Sequence, residues 1–113
     1  MKNSTLISIT AFFISIFSSN YSLVAQTDTT FTVSGNCGMC KNTIENALDE
    51  KGIKKASWDT ETKLLSVSFN PSKINTKRIM ELIAAAGYDT PLIKADSTAY
   101  SKLHSCCKYE RKE

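Results

Sequence analysis

Between residues 31 and 94 the apolar positions fall into short runs with two different periods. Phe31-Thr32-Val33 alternates apolar with polar, as a half-buried strand does, and Ser34-Gly35-Asn36 ends it as a loop. From Cys40 onward Ile44, Ala47 and Leu48 recur at helical spacing, with Lys41, Asn42, Glu45 and Asp49 outside, and Gly52 predicts the C-terminal cap. Ile53 to Asp59 carries Ala56 and Trp58 on one side, Thr60-Glu61-Thr62 reads as a turn, and Leu65, Val67 and Phe69 alternate with Ser66 and Ser68. These are two antiparallel strands. Asn70-Pro71 breaks the second, Asn75 is placed to cap a new helix with Ile79, Leu82, Ile83 and Ala86 as its stripe, and Gly87 ends it. A last strand is predicted over roughly Asp89 to Lys94.

The arrangement that buries both helix stripes on one sheet face in this order is α+β, a ferredoxin-like βαββαβ sandwich, here with a C-terminal Cys-containing extension. Met1-Lys2-Asn3 and the largely apolar stretch Leu6 to Phe17 read as an export signal, since a stretch of 12 residues falls short of the roughly 20 that span a bilayer. The expected division is a signal peptide over 1–25, the sandwich over 26–94, and an extension over 95–113 with Tyr100, Leu103 and Cys107 at helical spacing, partly helical and docked. That predicts a periplasmic or secreted protein with no membrane span once the signal is cleaved.

Lys and Arg number 14 against 11 Asp and Glu in the 113 residues, too slight a basic surplus for a nucleic-acid face. A domain this small often leans on a metal, a disulfide or a partner. The chain has one His, no glycine-rich phosphate loop and no carboxylate pair at acid–base spacing, so no enzyme is expected. Chemistry therefore falls to the 4 cysteines.

Cys37-Gly38-Met39-Cys40 stands between a strand and a helix, with the second thiol in the first helical turn and the first just before it. Backbone N–H groups and the helix dipole favour thiolates there. Two thiolates so close suit Cu(I), Hg(II), Zn(II) or Cd(II) over any hard cation. The same spacing also serves thiol–disulfide exchange, half a zinc site or a structural disulfide. Met39, inside the pair, reads first as an exposed variable residue and second as a weak soft donor.

Val33 to Leu48, reading VSGNCGMCKNTIENAL, resembles the start of a heavy-metal-associated domain, and Ala85-Ala86-Gly87-Tyr88-Asp89 resembles the end of that family's second helix. The resemblance covers about residues 30 to 94 and implies the ferredoxin-like fold, carriage of soft ions to or from a metal transporter or another metal-binding domain, and Cys37 and Cys40 as the metal thiolates. Cu(I) is favoured, as in copper chaperones, with Hg(II), as in periplasmic mercury-binding proteins, Zn(II) and Cd(II) as alternatives. By the same match Tyr88 is the aromatic that shields the site, or simply part of the core. The family motif usually has Met two residues before the first Cys, packed beneath the loop. Gly35 occupies that position here and predicts a looser loop.

His104-Ser105-Cys106-Cys107 gathers the single His and the other two thiols. Extended or helical, the chain from Ala95 is long enough to bring Cys106 or Cys107 back to Cys37. A third thiolate would make a Cu(I) site trigonal and four would make a tetrahedral one. The alternatives for the tail are a cross-link to the first loop, since adjacent Cys rarely pair with each other, or a purely structural role. His104 is as readily an exposed non-ligand as a ligand. The expected function is an exported metal carrier or buffer, steered to acidic partners by lysines such as Lys41, and either monomeric or a metal-bridged dimer. The alternatives are a thiol–disulfide redox protein and a disulfide-stapled interaction domain.

Overall fold

The computed structural model describes residues 26 to 112, and the expected signal peptide lies outside them. Three strands, β1 (Thr27–Thr32), β2 (Ile53–Trp58) and β3 (Leu64–Phe69), form one antiparallel sheet in the order β1-β3-β2. Helix α1 (Gly38–Ala47) follows β1 and helix α2 (Thr76–Ala85) follows β3. The sheet's alternation works as anticipated: Leu65, Val67 and Phe69 are buried in one core with Ile44 and Leu48 of the α1 region and Ile79 and Ile83 of α2. Leu65 stands opposite both Phe31 and Trp58, so the central strand fixes the register of both its neighbours.

Sequence and structure part at the element ends. The polar residues before Phe31 also belong to β1, because Thr27 to Thr32 pair with Phe69 to Leu64 along their whole length. Helix α1 stops at Leu48, whose N–H donates to the Glu45 carbonyl while the Asp49 N–H donates to that of Asn46, and Gly52 serves instead the turn into β2 at φ +95°. Asn75 caps α2 as expected, its side chain accepting the Arg78 N–H at 2.8 Å. The buried residues of α2 are Ile79, Met80, Ile83 and Ala84, with Leu82 and Ala86 only half-buried.

The last strand expected at residues 89–94 is not formed. Thr90 and Ile93 close a tight turn instead: the Thr90 N–H and hydroxyl both donate to the Ile93 carbonyl, and the Ile93 N–H returns to the Thr90 hydroxyl. Pro91, inside that turn, has no N–H to offer a neighbouring strand. One bond from Ser34 N–H to the Asp89 carbonyl, 3.1 Å, joins this segment to the end of β1.

The extension is docked and partly helical, in two short pieces. Helix α3 (Ser97–Ser101) is capped by Asp96, and a 3-10 turn spans Ser105–Cys107. Helix α3 seats its Ala99 backbone against Gly87, where an added Cβ would lie 3.1 Å from that backbone and where φ is +105°. Beyond the turn Tyr109 is almost fully buried, stacked near Tyr88 at 6.0 Å between ring centres and met edge-on by Tyr100 at 5.1 Å. Its hydroxyl donates to the Gly87 carbonyl and accepts the Asp89 N–H. Arg111 then grips both carboxylate oxygens of Asp89 and the Ala95 carbonyl, and lies over the Tyr100 ring.

Candidate metal centre

Cys37 is the N-cap of α1, in extended conformation, and Cys40 lies in the first turn. Three more features shape the loop that holds them. The Asn36 N–H donates to Cys40 Sγ at 3.4 Å, the Asn36 amide reaches across to the Cys106 carbonyl at 3.3 Å, and Trp58 lies beneath. The indole is wholly buried and donates from Nε1 to the Val33 carbonyl at 3.0 Å. A Cβ built on Gly35 would stand 2.9 Å from the Trp58 ring. The loop is therefore not loose: Trp58 packs against Gly35, and only a residue without a side chain fits between ring and loop.

The docked tail sets Cys107 against this pair. Cys37 Sγ is 3.7 Å from Cys40 Sγ and 3.9 Å from Cys107 Sγ, and all three sulfurs lie within 4.8 Å of one another. Metal–thiolate bonds of about 2.3 Å put two sulfurs of one ion about 3.8–4.6 Å apart, and about 4.0 Å in a trigonal arrangement. The trio therefore has the spacing of a three-sulfur site with little rearrangement. Cys40 and Cys107 are buried and Cys37 half-buried. All four thiols are free. Cys106 is exposed and lies at the edge of the trio, its sulfur 4.0 Å from Cys107 Sγ, while His104 is exposed and stands outside it.

The electrostatics single out Cys37. Its side chain makes no capping hydrogen bond, yet the Cys40 N–H faces the sulfur from the first turn, and this, with the Cys106 thiol and the Cys40 side chain, brings its pKa down to about 6. Burial pushes the Cys107 thiol up, reinforced by the Cys40 and Cys37 sulfurs nearby. The Cys106 thiol is raised by its interaction with Cys37 and by desolvation. One sulfur is thus ready as thiolate at neutral pH, and the Cys107 thiol loses its proton when a cation replaces it.

Tyr88 is fully buried, and its hydroxyl finds no hydrogen-bond partner. Burial, with the Cys107 side chain next, holds its phenol well above the ordinary range. It packs the core beside Cys107. Lys41 is less free than expected: its ammonium is bound by Glu45 at 2.7 Å and by the Trp58 carbonyl at 2.9 Å. Tyr109 and Arg111 carry no motif in the sequence, yet with Asp89 they fix the tail. Their only signal is an aromatic and a basic residue within the charged ending Lys108 to Glu113.

Residues 30–89 match the heavy-metal-associated domain family. The copper chaperone CopZ of Staphylococcus aureus (strain JH9) is 33% identical over 55 residues, covering 48% of this chain and 81% of that protein. The copper-transporting ATPase RAN1 of Arabidopsis thaliana is 34% identical over 68 residues, 58% of this chain but 7% of the ATPase, so the chain spans only a small part of that relative. Among solved structures, a CopZ metallochaperone superimposes with a TM-score of 0.55 at 30% identity, covering 57% of this chain and 98% of that one.

Proposed function

The chain belongs to the heavy-metal-associated domain family, and from that premise we propose that it is a non-enzymatic carrier or buffer of a soft metal ion, with Cu(I) the favoured cargo. Domains of this family bind heavy metals, and the names of the relatives favour copper. The observation that carries the reading for this chain is the trio itself, with Cys37, Cys40 and Cys107 within 4.8 Å of one another. Cys37, already poised as thiolate, takes the ion first, Cys40 completes a two-sulfur site, and Cys107 adds a third bond that slows release. The exchange partner is a metal transporter or another metal-binding domain, met outside the cytoplasm. No helix among the described residues is long and apolar enough to cross a membrane.

Titration of the reduced protein with Cu(I) against a competing chelator tests this. One tightly held ion is expected in the wild type and its loss in Cys37→Ser. Equal affinity in both proteins would overturn the reading. A redox role is the second reading, favoured by the low pKa of Cys37 beside a second sulfur at 3.7 Å. It predicts fast disulfide exchange and no metal affinity in the same titration.

A further inference from the structure

Sulfur at this end of the molecule does not stop at the trio. From Cys107 Sγ it is 4.0 Å outward to Cys106 Sγ, and from there 3.8 Å to Met39 Sδ. The row therefore runs Cys40, Cys37, Cys107, Cys106, Met39, with successive separations of 3.7, 3.9, 4.0 and 3.8 Å. Exposure changes along it: Cys40 and Cys107 are buried, Cys106 is exposed and Met39 is 46% exposed. Every neighbouring pair stands at about the 3.8–4.6 Å that two sulfurs of one soft ion require. An ion can therefore pass from pair to pair by exchanging one sulfur at a time, never losing both ligands.

The outer pair is also held in place. Met39 sits in the first turn of α1, where its carbonyl accepts the Thr43 hydroxyl at 3.0 Å. The Cys106 backbone is tied to the metal loop by the Asn36 amide. One thiol and one neutral thioether bind a monovalent soft ion less firmly than three thiols do, so the row descends in energy toward the interior. We infer that Met39 and Cys106 form an outer, solvent-facing station at which a monovalent soft ion lands on its way into the buried trio and is handed to a partner on its way out. This rests on the trio being the soft-ion site, and it assigns to Cys106 and Met39 a kinetic role.

The test uses the reduced full chain and the variants Met39→Leu and Cys106→Ser, both conservative in volume and at exposed positions. Ag(I), which does not cycle redox state here, is titrated into protein carrying 13C-labelled methionine methyls, and Cu(I) release to excess chelator is followed by stopped flow. The Met39 methyl should shift on addition of up to two equivalents while the buried Met80 methyl stays in place. Release should slow about tenfold or more in either variant, with first-ion affinity changed by less than about threefold. A silent Met39 methyl, or release within about twofold of wild type in both variants, overturns the outer station. If wild type takes up the first ion and Met39 is silent, only this inference fails. If wild type takes up no ion, the trio reading fails and the station with it.

Discussion

At the scale of single residues the metal loop is shaped by what lies under it. Trp58 is fixed by its bond to the Val33 carbonyl, so the ring cannot swing aside without leaving a buried N–H unpaired. Gly35 is the residue that lets the loop close over it. Gly35→Ala is expected to lose about 1–3 kcal/mol of stability through overpacking, read as a lower urea midpoint at unchanged slope. An unchanged midpoint would mean that Trp58 does not brace the loop. In the sequence Gly35 stands out only as a departure from the family motif, which predicts slackness. Absence of a side chain is visible in a sequence, but which distant ring fills the gap depends on β2 register.

Among the elements, the tail is the one on which the site depends. Cys107 reaches Cys37 because Tyr109, Tyr100 and Arg111 fasten the chain on either side of it to Tyr88, Gly87 and Asp89. Burial pushes the Asp89 carboxyl up, but the Arg111 guanidinium and the Ala95 N–H outweigh it and hold the group below its usual range. A carboxyl depressed in the folded state stabilises fully above its unfolded value of about 3.9, and that contribution fades as pH falls through the lower folded value. Near-UV circular dichroism of the tyrosines should therefore hold from neutral pH to about 4 and decline below it. Asp89→Asn should show a weaker signal already at pH 7 and no such acid step. Identical acid profiles would remove Asp89 from the tail's anchorage. The two helices and the three observed strands were legible because period and caps report local preference. The tail's docking and its reach to Cys37 were legible in its length and pattern, but the groups that fasten it were not, because Tyr109 and Arg111 act on partners some twenty residues away. The expected last strand failed for a local reason visible afterwards, the Thr90–Ile93 turn around Pro91.

For the whole molecule, the sheet and two helices place a strand-to-helix loop with two thiols, and the tail brings a third to it. Cys37 and Cys40 lie within the stretch that matches the family, residues 30–89, and Cys107 lies beyond it. A closed three-sulfur site would trade exchange speed for retention. The decisive measurement is X-ray absorption at the copper edge on the reduced protein carrying one Cu(I), compared with Cys107→Ala. Three sulfurs at about 2.3 Å in the wild type and two in the variant are the predicted result. Two sulfurs in both would contradict the three-thiol centre and leave the docked tail without a part in holding the ion.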